Sequence, residues 1–320
     1  MNVKELIRTI NHTLKSHNLF PENSRILVAC SGGPDSMALL YLLQDIATHR
    51  HTTYKIGVAI VDHCIRPESK DEVLWLQHQV EELGLPFYSA TFDVPRLSKE
   101  YKKSEETIGR QVRYQWLNEI AQSEGYDYIS VAHHKDDQAE SILAHIIRGS
   151  GLNGLTGMSV VQSEYAIPVV RPLLDVTKEN LLAYIGTKQI SYCVDSTNED
   201  VRYQRNRIRH RIIPELEAVN PAVVDAIVRL GSSVNEDVMV ISDLTARTFD
   251  KLVSIGKDEV RISRRALRQE PLAIQRRLWQ RLVSTIDPEL MLTSAHQEQL
   301  LDIVNTGEKK TFTIKSIKVI

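Results

Sequence analysis

Cysteine is scarce in this 320-residue chain, and its three cysteines are far apart in the sequence. They are Cys30, Cys64 and Cys193, and no two of them form a C-x-x-C pair. This spacing argues against a disulfide framework, a zinc ribbon and an iron–sulfur cluster held by paired cysteines. We therefore expect reduced thiols that are mostly buried.

Long apolar runs are also missing. No run reaches the roughly 20 residues of a membrane span, and residues 1–20 lack the uninterrupted apolar core of a signal peptide. Apolar residues make up 42% of the chain and charged residues 25%, which is ordinary for a globular protein with a sizeable core. The sequence predicts a cytoplasmic protein without a membrane partner. Its length suggests about two domains, which we place at residues 1–215 and 216–320.

The chain has no large excess of charge of one sign, because its formal net charge is −2. Its arginines are nevertheless unevenly distributed, with five in residues 202–211 and seven in residues 261–281. Basic stretches on a near-neutral protein favour binding to a specific polyanion over unspecific adhesion. For residues 261–281, a solvated, salt-bridged helix face is the alternative.

Six residues at the end of an apolar run carry the clearest functional signal. They are Ser31-Gly32-Gly33-Pro34-Asp35-Ser36. The apolar residues 26–30 before them and the helix-forming residues 37–43 after them predict a strand, a glycine turn and a helix. The N–H groups of such a turn and of the helix N-terminus point to one place, which favours a phosphate. A plain strand-to-helix turn with serine caps is the alternative.

Two features of these six residues narrow the ligand. No lysine follows the second glycine, so the loop is not a Walker loop. Asp35 would repel a bound phosphate unless a divalent cation lay between them. The loop therefore predicts a nucleotide bound with Mg²⁺, and Asp35 is the candidate ligand of that ion.

Apolar strands alternate with helical stretches through residues 25–188. This pattern predicts an α/β fold with a doubly wound, mostly parallel sheet that is covered by helices on both faces. Ligands of such sheets lie at the carboxyl ends of the strands, which is where residues 31–36, 62–63 and 133–134 fall. Residues 216–320 are predicted to form a smaller, mainly helical domain with a β-like tail.

A second group of polar residues opens the helix expected over residues 136–148. It runs His133-His134-Lys135-Asp136-Asp137-Gln138-Ala139-Glu140. Early acids can complement the helix dipole, and Asp136 can be an ordinary N-cap. That explanation accounts for one acid better than for two histidines, three acids and a glutamine, so we expect a functional site.

Two other interpretations stay open for the neighbouring polar residues. His133, Asp137 and Glu140 have a spacing that could ligate a metal in a phosphohydrolase, with residues 62–63 as further ligands. Arg110 and Arg113 could pair with acids, or one of them could bind a phosphate or a carboxylate.

In several ordered motifs the chain resembles the bacterial tRNA(Ile)-lysidine synthetase family of the PP-loop ATP pyrophosphatase superfamily. The resemblance covers roughly residues 25–210. The matching motifs are Ser31–Ser36, Val61–His63 with Arg66, Arg110 with Arg113-Tyr114, His133–Glu140, Arg148-Gly149, Arg171–Leu174, Asp195–Asn198 and Arg205–Arg209. The motifs at residues 136–140 and 205–209 are much more specific to this family than the first motif, which indicates only the superfamily.

The resemblance implies an ATP-dependent carbon–nitrogen ligase. ATP adenylates the C2 oxygen of the wobble cytidine in the tRNA(Ile) that carries a CAU anticodon, and diphosphate leaves. The ε-amine of L-lysine then displaces AMP and gives lysidine. The modified tRNA reads AUA instead of AUG and accepts isoleucine instead of methionine.

The resemblance also implies roles for individual residues. The PP-loop residues 31–36 hold the ATP triphosphate, with Asp35 as the Mg²⁺ ligand. The remaining nucleotide-binding residues are Asp62 and Arg205, and the run around Arg205 meets ATP phosphates or the tRNA. Four further residues are implied to be catalytic. Arg113 and His133 stabilise the adenylated intermediate. Asp137 contacts the cytidine, and Glu140 contacts the lysine ammonium.

Other functions remain open at this point. They are a different PP-loop enzyme, such as a tRNA 2-thiolase or NAD synthetase, and a non-catalytic tRNA-binding protein. The missing C-x-x-C pair counts against the cysteine-dependent thiolases. Longer family members carry a further C-terminal module, so we expect either a short form or a piece of a longer protein. A homodimer is one candidate for the oligomeric state.

Overall fold

The computed structural model describes residues 2–50, 52–194, 204–256, 259–288, 290–306, 312–314 and 317–319. Its contacts divide the chain into two compact units, Met1–Ser232 and Ser233–Ile320. This division falls inside a long helix, α11 (Val223–Leu252). The domain boundary expected near residue 215 stays a prediction.

The first unit is an α/β structure. Its helices are α1 (Val3–Ser16), α2 (Pro34–His49), α3 (Ser69–Glu82), α4 (Val94–Tyr101), α5 (Glu105–Ser123), α6 (Lys135–Ile147), α7 (Leu152–Leu155), α8 (Lys178–Lys188), α9 (Gln204–Arg207) and α10 (Ile213–Val219), with a π-helical turn at Ile208–Ile212. Its strands are β1 (Arg25–Ala29), β2 (Lys55–Asp62), β3 (Phe87–Thr91), β4 (Tyr128–Ser130), β5 (Val161–Gln162) and β6 (Val169–Val170).

The six strands form one sheet in the order β3-β2-β1-β4-β6-β5. All neighbouring pairs are parallel except β5 and β6, which pair antiparallel at the edge. The expected doubly wound, mostly parallel sheet is confirmed. Because β1 lies in the middle, the loop that follows it is flanked by the carboxyl ends of β2 and β4.

Alternation along β1 explains why helices cover both faces. Ile26 and Val28 belong to the core cluster that includes residues of α1, α2 and α8. Leu27 points to the opposite face, where it packs with Tyr114 and Leu117 of α5. Ile26, Leu27 and Val28 are all fully buried. A strand that is buried on both faces requires such a continuous apolar run.

Local capping sets two helix starts. Ser104 caps α5, and its hydroxyl accepts the N–H of Thr107 at 3.2 Å. The alternative that Asp136 is an ordinary N-cap does not hold, because α6 begins at Lys135 and its N-cap is His134. The Asp136 carboxylate instead accepts the backbone N–H of Lys178, at 2.8 Å.

The second unit has its own core. Its elements after α11 are β7 (Val253–Ile255), β8 (Val260–Ile262), α12 (Arg264–Gln269), α13 (Leu272–Ile286), α14 (Ser294–Thr306), β9 (Phe312–Ile314) and β10 (Ile317–Val319). The mainly helical character agrees with expectation, but the β7–β8 hairpin was not foreseen. Leu278, Trp279 and Leu300 are among its buried residues. Within the described residues, no helix is long and apolar enough to cross a membrane.

Candidate active site

The PP-loop joins β1 to α2 and takes a conformation that requires glycine at one position. Gly32 has a φ of +79°, which side-chain-bearing residues rarely adopt. Gly33 is the N-cap of α2 without a side-chain cap, and Pro34 occupies the first turn. The first N–H groups of α2 are therefore free of a side-chain cap, as an anion site needs.

The two loop serines differ in their environment. Ser36 is 5% exposed, and its hydroxyl donates to the carbonyl of Gly33 at 2.9 Å and accepts the N–H of Ser31 at 3.2 Å. Ser31 is exposed. Ser36 thus holds the shape of the loop, whereas the exposed Ser31 hydroxyl has only longer contacts, at 3.4 Å with Oγ of Ser36 and with the N–H of Gly33. The backbone N–H of Cys193 donates to the carbonyl of Gly32 at 2.9 Å and fixes the outer side of the loop.

Asp35 forms an ion pair at the start of α2. Its two carboxylate oxygens lie 2.6 and 2.5 Å from the Nζ of Lys178, the first residue of α8. The carboxylate is 28% exposed, so a ligand can reach it. Nε2 of His134 lies 3.7 Å from the same carboxylate, which brings the loop next to the second group of polar residues.

Asp62 lies at the carboxyl end of β2, next to β1 in the sheet. It is 4% exposed. Its Oδ1 accepts the N–H of Cys64 at 2.8 Å and the hydroxyl of Ser69 at 2.7 Å. These contacts shape the turn after β2. The structure places Asp62 on the expected edge of the sheet but does not bring its carboxylate into contact with the described PP-loop side chains.

Asp137 and Glu140 lie on the first turns of α6 and are both buried, at 7% and 1% exposure. Arg205 donates to Glu140 and to Asp137, each at 2.9 Å. Arg209 donates to both oxygens of Glu140 at 2.5 and 2.9 Å and to Asp137 at 3.0 Å. Two guanidinium groups therefore neutralise two buried carboxylates, as burial of charge requires.

His134 is surrounded by three carboxylates. Its Nδ1 lies 3.4 Å from Asp136, and its Nε2 lies 3.4 Å from Asp137 and 3.7 Å from Asp35. Burial acts to lower the pKa of His134, but the three carboxylates outweigh it and the pKa is raised. The pKa of Asp137 is lowered although burial acts to raise it, because His134 and Arg205 stabilise its charge.

His133 has the opposite electrostatic environment. Its Nδ1 accepts a hydrogen bond from Nε of Arg171 at 3.3 Å. Burial and nearby cationic groups, Arg171 first among them, lower the pKa of His133 to about 3 although Asp137 acts to raise it. The ring is therefore neutral at pH 7, and since Nδ1 accepts, the proton is on Nε2. Arg171 itself is 2% exposed.

Arg110 and Arg113 both lie over the ring of Tyr114, at 5.0 and 5.4 Å from its centroid. Burial, Arg110 and Arg205 lower the pKa of Arg113, and Tyr114 acts in the other direction. Arg113 also contributes to the lowered pKa of His133. Burial, followed by Arg113, lowers the pKa of His63 to about 4. Arg113 thus belongs to the electrostatic environment of the site.

Sequence reasoning missed two residues of this site. It assigned no role to Lys178, whose ion pair with Asp35 spans 143 residues. It quoted Arg171 only as part of a motif and did not find its contact with His133. A basic residue directly after the N-cap Thr177 gives no sequence signal for such contacts. The motif residues 195–198, and Arg202 in the basic run, lie outside the described residues.

Asp35 fits the role of a Mg²⁺ ligand. Carboxylate oxygen is a donor that Mg²⁺ prefers, and Mg²⁺ beside phosphates takes only one or two carboxylates. The partly exposed carboxylate stands beside the PP-loop. The metal cluster of the phosphohydrolase alternative is not found, because within the described residues no three His, Cys, Asp or Glu side chains are arranged to hold a metal.

Comparison with known proteins identifies the family of the chain. The family model of the PP-loop domain matches residues 3–216. A tRNA(Ile)-lysidine synthase of Caldanaerobacter subterraneus is 30% identical over 321 residues, covering 98% of this chain and 68% of the relative. The chain belongs to the tRNA(Ile)-lysidine synthase family of PP-loop proteins. The resemblance stated from the sequence motifs is therefore confirmed.

Other members of this family match a shorter part of their own length. The tRNA(Ile)-lysidine synthase of Thermosipho africanus is 37% identical over 246 residues, which are 77% of this chain and 56% of that protein. The enzyme of Porphyromonas gingivalis is 35% identical over 226 residues, which are 70% of this chain and 48% of that protein. The chain thus spans about half the length of these curated relatives.

A solved structure supports the fold assignment. The U34-tRNA thiolase NcsA from Methanococcus maripaludis, determined with its [4Fe-4S] cluster, superimposes with a TM-score of 0.61 and 20% sequence identity. The match covers 73% of this chain and 78% of the thiolase. At this level of identity the likeness concerns the fold alone.

Proposed function

We propose that this protein ligates L-lysine to C2 of the wobble cytidine in the tRNA(Ile) with a CAU anticodon, using ATP. One observation carries the proposal: the PP-loop carboxylate Asp35 and the buried Asp137 both lie beside His134. Glu140 is joined to Asp137 through Arg205, which donates to both carboxylates. The PP-loop therefore lies next to carboxylates that bind positively charged side chains. The names of the relatives supply the substrate tRNA(Ile).

In the first step the C2 oxygen of cytidine attacks the α-phosphate of ATP, and the bond to the β-phosphate breaks. Residues 31–36 bind the triphosphate through the N–H groups of the loop and of the α2 N-terminus. Asp35 would hold Mg²⁺ here, and the ion would supply positive charge that stabilises the leaving diphosphate. Arg113 adds a fixed positive charge near the adenylated base.

In the second step the ε-amine of lysine attacks C2, and the C2–O bond breaks so that AMP leaves. The amine must lose a proton before it attacks, and a nearby carboxylate assists this loss. Glu140 already binds two cationic side chains, Arg205 and Arg209. The same carboxylate is therefore suited to a lysine ammonium group, which replaces one guanidinium when lysine binds.

Neutral His133 supplies a hydrogen-bond donor at this step. Because Arg171 occupies Nδ1, and no hydrogen bond of Nε2 is found among the described residues, the Nε2–H can donate to the oxygen of the adenylated base. A positively charged imidazole would compete with lysine for the carboxylates. The pKa of His133, lowered to about 3, keeps the ring neutral near pH 7 and prevents this.

The second unit presents arginines that suit an RNA backbone. Arg265, Arg268 and Arg276 are exposed on α12 and α13. Others of the basic stretch have structural partners, such as Arg281, which lies over the ring of Phe249, and Arg264, which donates to a carbonyl. The exposed subset is available for phosphate contacts.

The test incubates the purified chain with ATP, Mg²⁺, labelled lysine and the tRNA(Ile) transcript. We expect label to enter this tRNA and not a transcript with guanosine at the first anticodon position. An elongator tRNA(Met), which shares the CAU anticodon, measures selectivity. No incorporation into tRNA(Ile) refutes the proposal. Diphosphate release that needs no tRNA points instead to an amide-forming enzyme of the NAD synthetase type.

A further inference from the structure

Lys178 stands at the PP-loop although it is distant from the loop in the sequence. It is the first residue of α8, and its Nζ lies 2.6 and 2.5 Å from the two oxygens of Asp35. Its backbone N–H donates to Asp136 of the second polar group at 2.8 Å. The residue is therefore held at the point where the two halves of the candidate active site meet.

The PP-loop needs a cation that its own six residues do not provide. Among residues 31–36 the only charged side chain is Asp35, which is negative. A triphosphate placed against this carboxylate is repelled. Walker loops provide a lysine that reaches the β- and γ-phosphates. Lys178 brings the same chemical group to the corresponding end of the loop helix from a different part of the chain.

The side chain of Lys178 has the freedom that this role requires. Its ammonium group carries three N–H donors, and its Nζ hydrogen bonds among the described residues are the two to Asp35. The side chain is 35% exposed. A ligand arriving at the loop can thus be contacted with a modest movement of a flexible side chain.

A second ion pair between the same two helices provides an internal comparison. Lys188 at the end of α8 binds Asp45 of α2, with Nζ–O distances of 2.9 and 3.1 Å. This pair is displaced by ten residues along both helices and lies far from the loop. It joins α8 to α2, which shows what a purely structural lysine does here.

We propose that Lys178 binds the β- and γ-phosphates of ATP and is the cation of this phosphate site. The inference rests on the proposed use of ATP. When the nucleotide binds, the ammonium group moves from Asp35 to the phosphate oxygens, and the carboxylate becomes free to act as the metal ligand. No bond is made or broken in this exchange.

The proposal distinguishes between nucleotides. ATP and diphosphate carry the groups that Lys178 contacts, whereas AMP does not. Loss of the lysine therefore weakens binding of the first two and leaves AMP binding unchanged. A lysine that only joined α8 to α2 would affect all three ligands alike or none of them.

The experiment measures binding of MgATP, magnesium diphosphate and AMP to the full chain by calorimetry, without tRNA or lysine. For Lys178→Ala we expect the dissociation constants of ATP and diphosphate to rise about 10- to 100-fold, the effect of one charge-assisted hydrogen bond. The AMP constant should stay within about twofold. Lys178→Arg keeps the charge and should restore most of the ATP affinity.

Lys188→Ala is the matched control, because it removes the equivalent ion pair from the same helices. It should bind all three ligands like the wild type, and its thermal midpoint corrects for any loss of stability. If Lys178→Ala binds ATP within twofold of a wild type that does bind ATP, the inference is wrong while the proposed function stands. A wild type that binds no ATP overturns both.

Discussion

Arg209 forms a bidentate hydrogen bond with Glu140: its Nε lies 2.5 Å from Oε1 and a terminal nitrogen lies 2.9 Å from Oε2. Glu140 is only 1% exposed, so this carboxylate keeps its charge away from water. Arg205 donates to Oε2 as well, at 2.9 Å. The two buried carboxylates are thus occupied by guanidinium groups, and under the proposed function a lysine ammonium group would compete with them.

Glu140→Gln tests this site. A neutral amide attracts an ammonium group less than a carboxylate does, so the KM for lysine should rise about 10- to 100-fold. Diphosphate release in the presence of tRNA(Ile) should be largely retained, since it precedes lysine attack. Glu119→Gln, at an exposed position of α5, is the control. An unchanged KM for lysine would show that Glu140 does not contact this substrate.

Asp35→Ala should abolish diphosphate release and leave tRNA(Ile) binding largely intact. The variant loses the candidate Mg²⁺ ligand, whereas the arginines that we propose for RNA binding are unchanged. Diphosphate release and tRNA filter binding are measured in parallel. Asp45→Ala, which removes an acid from the same helix, should keep both. Joint loss of both activities in Asp35→Ala would mean that the residue is structural.

The two adjacent histidines should affect stability with opposite pH dependence. The folded pKa of His133 lies below the unfolded value of about 6.5, so the unfolded chain binds more protons between pH 6.5 and 3. Protonation of this histidine in the unfolded chain therefore lowers the free energy of unfolding as pH falls through that range. The decrease is at most about 1.4 kcal/mol per pH unit. His133→Gln should therefore lose less stability than the wild type between pH 7 and pH 5.

His134→Gln is the counterpart. The pKa of His134 is raised in the folded state, so its contribution is fully present below about pH 6.5 and is lost as pH rises through the folded pKa. This variant should be more destabilised at pH 5.5 than at pH 8.5. Urea unfolding at these pH values checks both variants. Equal pH slopes for the two would contradict the assigned environments.

Gly231→Ala should destabilise the first unit. A Cβ at Gly231 of α11 would lie 2.7 Å from Cδ1 of Ile142 and 3.1 Å from the carbonyl oxygen of Leu155. Overpacking of this kind lowers the free energy of unfolding by about 1–3 kcal/mol. Gly186→Ala is the matched control, because a methyl group added to this helical glycine would have no heavy atom within 4 Å. It should gain about 0.5–1 kcal/mol.

Exposed arginines of the second unit should determine the salt dependence of RNA binding. The double variant Arg265→Ala/Arg268→Ala should bind tRNA(Ile) more weakly at every salt concentration. The slope of log K against log salt should fall by about 0.7–0.9 for each phosphate that an arginine no longer neutralises. Arg247→Ala, an exposed arginine paired with Asp243 at 2.6 Å, is the control. An unchanged slope would exclude these two arginines from phosphate binding.

Much of the fold was predictable because its signals are local. The continuous apolar run of β1 required burial on both faces, and Ser104 and Thr177 cap the helices that they precede. The start of the helix predicted over residues 136–148 was one residue late, because a helix start depends on where the chain turns. The short pairing of β7 with β8 gave no comparable signal.

Local sequence was enough to specify the phosphate loop, since a positive φ at Gly32 and a helix starting at Pro34 follow from local chemistry. The spacing of Asp137 and Glu140 likewise brought them to one helix start. The partners of these groups, in contrast, depend on how the whole chain folds. Arg209 reaches Glu140 across 69 residues and Lys178 reaches Asp35 across 143, and neighbouring histidines acquire opposite pKa shifts. The charges around each side chain belong to residues that are distant in the sequence and that folding brings together. The periodic pattern of the sequence therefore does not predict these contacts.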